Sequence, residues 1–275
     1  MIRAMDGKTV IVTGAGSGIG KVSALELAKK GALVVLVARS EDRIKPVHDA
    51  IAKAGGKSEI LPVDLSSKQA IRDGAAKFLE THDKLDVLLN NAGLWVGKRE
   101  VTADGLERTW AVNALAPFML TQLMLEPLRA AKGRVINVAS EEHTHGFMNW
   151  DDIQYENQFD PALAYRQSKL ALVMQTLTLA EREAGVITAN CLHPGIIGTN
   201  LFRNFPGFIR FWINLLMLSP EKGAQPQIRM ASEVAWGDIT GKYYVRFKEG
   251  RPHGSAQTAS QRERLWKLLD QQAGA

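Results

Sequence analysis

A single cysteine, Cys191, among 275 residues excludes an intramolecular disulfide. Its apolar setting, T-A-N-C-L, suits a buried thiol in a reducing compartment. A cytoplasmic location is the expectation. Long apolar runs are equally scarce: the first residues, M-I-R-A-M-D-G-K, lack a signal peptide's apolar core, and no transmembrane segment is expected. The stretch from Phe205 to Leu218 is too short to span a bilayer and carries Arg210 and Asn214. Within it Phe208, Phe211, Trp212, Leu215 and Leu218 recur at helical spacing. That spacing, with few basic residues, favours a substrate-loop or lid region over 200–218 above a peripheral membrane contact.

Nor is charge of one sign concentrated anywhere. The net charge is +5 and the pI about 9.3, which favours anionic partners such as phosphates. The Lys and Arg are scattered, and no basic stripe or reader motif is present, so no nucleic-acid partner is expected. A metal is not expected either. Glu141, Glu142, His143 and His145 crowd one irregular loop, and such crowding reads as a polar loop. Without repeats or low-complexity linkers, residues 1–275 read as a single domain, long enough for a large core.

What the chain does have is a regular alternation of strand and helix signals. Thr9 to Thr13 reads as a strand and Ile19 to Lys30 as a helix, with Gly14, Gly16, Gly18 and Gly20 between and around them. Strand, glycine turn and helix form the layout that aims helix N-terminal amides at a phosphate. The pattern T-G-x-x-x-G-x-G runs through Thr13, Gly14, Gly18 and Gly20 and differs from G-x-G-x-x-G, because Ile19 stands where the last glycine would be. A turn-rich connection is the plainer alternative. Leu33 to Val37 suits a buried parallel strand, and Arg39 follows at the place where an acidic residue would bind a ribose 2′-hydroxyl. An arginine there accommodates a 2′-phosphate and points to NADP; a surface arginine at a helix start is the alternative.

Helices over Glu41 to Ala54 and Ser67 to Thr81 flank a strand over Ser58 to Val63. Asp64 and Leu65 lie just past that strand's carboxyl end, where Asp64 meets an adenine or caps a helix. Asp86 to Leu89 reads as a strand running into Asn90-Asn91-Ala92-Gly93, small and amide residues that let backbone pass close to a ligand. Ala103 to Leu128 reads as one long helix containing Asn113, with kinks or stops at Pro117 and Pro127. A strand from Arg134 to Val138 ends at Ser140. After it, Phe147, Met148, Trp150 and Tyr155 read as an apolar pocket wall. Asp160-Pro161 starts a helix, and Tyr165 and Lys169 share one face of it, four residues apart. An ammonium beside a phenol favours the phenolate and would lower the tyrosine's pKa, although the spacing alone also suits an ordinary helix face. A strand over Ile187 to Leu192, a helix after Ser219-Pro220, a last strand over Gly241 to Val245 and a helix over Ser260 to Gln272 complete the chain. The fold class is α/β: a doubly wound parallel sheet flanked by helices, of Rossmann type.

T-G-A-G-S-G-I-G, N-N-A-G, Asn113, Ser140, Y-R-Q-S-K and P-G-I-I-G-T stand in the order found in the short-chain dehydrogenase/reductase family, which the chain resembles over nearly its whole length. The motifs G-S-G-I-G-K, N-N-A-G-L-W, Y-R-Q-S-K-L-A and L-H-P-G, with the long gap of 165 − 140 = 25 residues, are similar to its retinol dehydrogenase and WW-domain oxidoreductase branch. The resemblance implies an NADP(H)-dependent oxidoreductase acting on a small lipophilic carbonyl or alcohol. It implies that Tyr165 is the acid/base, that Lys169 lowers its pKa and bonds the nicotinamide ribose, and that Ser140 binds the substrate oxygen. Asn113 would hold a water linking Lys169 to solvent. Thr13, Gly14, Ser17, Gly18, Ile19, Gly20, Arg39, Asp64, Leu65, Asn91, Ala92, Gly93, Pro194, Gly195, Ile197 and Thr199 would join Tyr165 and Lys169 in binding the cofactor. A homo-oligomer is frequent in the family. A redox-inactive NADP-binding regulatory protein on the same fold is the alternative, and a sugar-nucleotide epimerase fits less well because no separate sugar domain is evident.

Overall fold

The computed structural model describes residues 3–195 and 218–274. Strands β1 (Thr9–Thr13), β2 (Leu33–Ala38), β3 (Lys57–Pro62), β4 (Val87–Asn90), β5 (Arg134–Val138), β6 (Thr188–His193), β7 (Lys242–Val245) and β8 (Lys248–Gly250) form one sheet, ordered β3-β2-β1-β4-β5-β6-β7-β8. All pairings are parallel except β7 with β8. Chain order reverses between β1 and β4, where a crevice opens at the carboxyl ends of the strands.

Helices cover both faces. On one side lie α1 (Gly18–Lys29), α2 (Glu41–Lys53) and α8 (Pro220–Ser232), whose Leu27, Ile44 and Ile228 share a core with Val10, Val12 and Leu36 of the sheet. On the other lie α3 (Lys68–Leu79), α5 (Ala116–Leu123), α7 (Pro161–Arg182) and α10 (Ala259–Gly274), joined through Phe78, Phe118, Leu172 and Leu265. Burial on both faces explains the unbroken apolar runs of β2 and β4. Helix starts are set chemically: Asp160 accepts the Ala162 and Leu163 N–H groups, both at 2.8 Å, and Pro161 follows as the first helical residue.

The helical stretch expected from Ala103 begins only at Arg108, and its irregularities fall at Ala111–Leu115 and Met124, ahead of the kinks or stops expected at Pro117 and Pro127. Val101 bridges Glu107, whose carboxylate caps a short helix α4 (Arg108–Trp110) through the Thr109 and Trp110 N–H groups at 2.8 and 2.7 Å. A π-helical turn follows over Ala111–Leu115, with the Ala116 N–H bonded five residues back to the Ala111 carbonyl. Pro117 has no N–H for an i−4 partner, so the wider register meets a position where the α-helical ladder is already broken. After α5 the chain bends at Met124 and α6 (Leu125–Ala131) begins, carrying Pro127 in its first turns. A second difference is β8, too short and polar to be read as a strand from sequence.

Candidate active site

The carboxyl ends of β1 to β6 open onto a cleft of about 980 Å³. At its floor, Gly14 and Gly18 have positive φ of 69° and 54°, and the chain enters α1 with Ser17, Gly18, Ile19 and Gly20 on the cleft surface. A Cβ on Gly20 would lie 2.4 Å from both Asn91 Nδ2 and the Gly14 carbonyl. Only glycine lets the three segments meet this closely. Gly16, outside the expected pattern, is equally constrained, since a Cβ there would lie 2.7 Å from the Arg43 carbonyl. The start of a 12-residue helix on the cleft surface, with no side chain capping it, is a cradle suited to a pyrophosphate.

Thr13 and Asn91 stitch the two central strands together. Thr13 Oγ1 accepts the Asn91 and Ala92 N–H groups, each at 2.9 Å, while Asn91 Nδ2 donates to the Thr13 carbonyl at 2.8 Å. Thr13 is buried behind the wall and reaches the cleft only through the loop it holds. Gln227 of α8 donates to Asn91 Oδ1 at 3.2 Å and to Ser23 of α1 at 2.7 Å.

At the end toward β2 and β3 the cleft is lined by Arg39, Arg43, Asp64, Leu65 and Arg108. Asp64 does not cap a helix; its Oδ1 accepts the Ser66 N–H at 2.9 Å and the Ser66 hydroxyl at 2.7 Å, and Ser67 caps α3. Burial raises the Asp64 pKa, but the Ser66 bonds and the charges of Arg39 and Arg108 outweigh it and hold the carboxyl below its ordinary value. Arg43, absent from the sequence expectations, stands in the first turn of α2, four residues after Arg39, which precedes the helix.

Ser140, Tyr165 and Lys169 line the opposite wall, with Gly93 beside them. Lys169 Nζ donates to the Val138 carbonyl at 2.9 Å and lies 5.8 Å from the centroid of the Tyr165 ring. A Cβ on Gly93 would come within 3.2 Å of that ammonium. Ser140 Oγ accepts the Glu142 N–H at 3.3 Å, which leaves its own hydrogen to donate. The expected lowering of the tyrosine's pKa is not found. Burial pushes the Tyr165 phenol up to about 12, with Ser140 pulling it down and Glu142 pushing it up, while burial brings Lys169 down to about 8. The ammonium is turned toward the Val138 carbonyl, and desolvation dominates both groups.

Asn113 is fully buried behind this wall. Its side chain accepts the Leu94 N–H and donates to the Leu94 carbonyl, both at 2.8 Å, and donates to Ser168 Oγ at 3.1 Å. The amide expected to hold a water therefore spends its hydrogens on protein partners. Pro194 and Gly195 reach the cleft edge, with Gly195 at φ +98°. Ile197, Thr199 and nearly all of the expected lid lie outside the described residues.

Four expected wall residues are elsewhere. Met148 and Tyr155 are buried away from the cleft, Phe147 is 49% exposed, and Trp150 donates to Gln261 under the Arg264 guanidinium. Among the described residues, Leu94, Trp95, Val112 and Ala162 are some of those that give the cleft apolar surface. Glu142 pairs with Arg166 at 2.7 Å, while His143 turns inward. His193, visible in the L-H-P-G motif, lines the cleft with its Nε2 3.8 Å from a Glu141 oxygen. Among the described residues no helix is long and apolar enough to cross a membrane.

Comparison with known proteins is consistent with this geometry. The family model described as short chain dehydrogenase matches residues 8–207. Human "Retinol dehydrogenase 13" is 38% identical over 276 residues, covering 94% of this chain and 82% of that protein. The crystal structure of an uncharacterised protein from Mycobacterium Paratuberculosis superposes with a TM-score of 0.80 at 28% identity, over 98% of this chain and 94% of that one. The NADP active-site complex of RhlG from Pseudomonas aeruginosa gives a TM-score of 0.73 at 26% identity, over 89% and 97%. The chain belongs to the short chain dehydrogenase family, oxidoreductases that bind NAD(P).

Proposed function

We propose that the protein interconverts a hydrophobic carbonyl and its alcohol with NADP(H), Tyr165 acting as the acid/base. The observation that carries this reading is the placement of Ser140, Tyr165 and Lys169 on one wall of a cleft whose floor is the glycine cradle. The residues present suit the cofactor: the cradle would hold the pyrophosphate, and Arg39 with Arg43 would hold a 2′-phosphate that an acidic residue would repel. When bound, NADPH supplies the hydride for the carbonyl carbon.

In reduction Ser140 donates a hydrogen bond to the carbonyl oxygen and strengthens it as negative charge develops there. The phenol of Tyr165, raised to about 12, is fully protonated at neutral pH and gives that proton to the oxygen, so the carbonyl gains hydride and proton and leaves as an alcohol. A cationic Lys169 then stabilises the phenolate left behind. The apolar side chains of Leu94, Trp95 and Ala162 suit a hydrophobic substrate, in keeping with the name of the human relative.

Loss of NADPH absorbance across a panel of ketones, aldehydes, steroids and retinoids tests the reading. Tyr165→Phe is expected to keep NADPH affinity and lose turnover by roughly a hundred- to ten-thousand-fold. Near wild-type turnover in that variant would sink the mechanism, and inactivity of the wild type on every substrate would favour the regulatory alternative.

A further inference from the structure

We propose that His143 is a positioning residue for Ser140, one imidazole fixing the turn that presents the serine and tying it to the segment that packs on the tyrosine helix. His143 is 0% exposed, and it is not among the residues lining the cleft. Its Nδ1 lies 2.7 Å from the Ser140 carbonyl, which also accepts the His143 backbone N–H at 3.2 Å. A carbonyl only accepts, so Nδ1 carries the hydrogen. On the far side, Nε2 lies 3.4 Å from the His253 backbone nitrogen, whose N–H only donates, so Nε2 is the bare acceptor. Together the two contacts admit the neutral Nδ1–H tautomer alone; an imidazolium would set donor against donor at His253.

The surroundings agree. Tyr243 of β7 meets the ring edge-on, centroids 4.6 Å apart at 68°. His193 from the end of β6, His253, and Glu141 from the ring's own turn are the titratable groups that act on it. Burial lowers the His143 pKa, the Ser140 bond opposes this, His253 and His193 lower it further and Glu141 raises it, with a net lowering. The ring is therefore neutral at neutral pH. His253 opens helix α9 (Gly254–Gln257), whose fully buried Ala256 belongs to the core shared with α7. Ser140, at the end of β5, and Tyr165, on α7, are thus held in one register through a ring that touches neither substrate nor cofactor. The role rests on Ser140 acting on the substrate oxygen, as proposed above.

Two substitutions separate the nitrogens, because an asparagine amide reaches as far as Nδ1 and a glutamine amide as far as Nε2. His143→Asn, which keeps a donor for the Ser140 carbonyl, is expected to hold kcat within about threefold; His143→Gln, which loses it, is expected to drop kcat roughly tenfold or more, with NADPH KM unchanged in both. Equal losses in the two variants, or losses that track their thermal midpoints, overturn the proposal. Long-range proton–nitrogen NMR of the wild type at neutral pH provides a test that needs no variant: the neutral Nδ1–H tautomer is expected. An imidazolium or the other tautomer there overturns it. A Ser140→Ala enzyme with full turnover would instead defeat the functional reading itself, and the tautomer measurement tells the two failures apart.

Discussion

Leu94 and Asn113 are joined by two hydrogen bonds of opposite sense, N–H to Oδ1 and Nδ2–H to the carbonyl, each 2.8 Å long. The side chain behaves as a piece of neighbouring strand, binding the loop after β4 to the π-helical turn. Gly93 is thereby held against Lys169. Asn113→Leu, close in size, would leave both Leu94 groups unpaired in a part-buried site beside the cleft, and a loss of about 1–3 kcal/mol is expected. Urea denaturation measures it, and an unchanged midpoint would show that the clamp contributes nothing.

The Tyr165–Lys169 pair sets a pH dependence. Reduction needs the phenol protonated and the lysine cationic, and the first of these to fail as pH rises is the lysine, at about 8. Turnover at saturating NADPH should be level below that value and fall above it, with the apparent pKa belonging to the coupled pair. A profile still level at about pH 10, the pKa of a free phenol, would contradict the assignment.

Cofactor choice should depend on two arginines. Arg39→Asp is expected to move the ratio of kcat/KM values toward NAD, and Arg43→Ala to weaken NADP binding about tenfold, in line with one charged hydrogen bond, while leaving NAD binding as it was. Equal effects of Arg43→Ala on the two cofactors would remove it from the 2′-phosphate.

At Gly20 the space decides. A methyl group 2.4 Å from Asn91 Nδ2 and the Gly14 carbonyl forces the cradle open. Gly20→Ala should cost about 1–3 kcal/mol, the range for overpacking, and abolish NADPH binding by fluorescence titration. Gly7→Ala is a useful contrast: its Cβ meets nothing within 4 Å, so strain at φ +75° acts without any clash.

The central strands were legible because burial on both faces writes itself as unbroken aliphatic runs, as in T-V-I-V-T. The glycine cradle and the Tyr165, Lys169 and Ser140 wall were legible as motifs whose spacing follows from strand ends and helix faces. The shift at Ala111–Leu115 was not, because a missing N–H at Pro117 announces a defect without saying whether the chain bends, breaks or widens its register. Arg43 could have been found, four residues beyond Arg39 in the first turn of the next helix, but its approach to Gly16 depends on two elements meeting. Phe147, Met148, Trp150 and Tyr155 misled because apolar richness in an irregular segment does not say where each side chain goes: Met148 and Tyr155 are buried, Phe147 is exposed and Trp150 packs under Arg264. The tyrosine's raised pKa came from desolvation, which residue spacing does not encode.

The stitch between Thr13 and Asn91 joins residues 78 positions apart. A chain still emerging from synthesis possesses the glycine turn long before it possesses the partner that shapes it. The cradle is therefore complete only when β1 and β4 are paired, and the proposed cofactor is a ligand of the finished fold. At a free concentration a hundred times its dissociation constant it would add about 2.7 kcal/mol to the native state alone. Proteolysis that acts on the opened chain would slow accordingly.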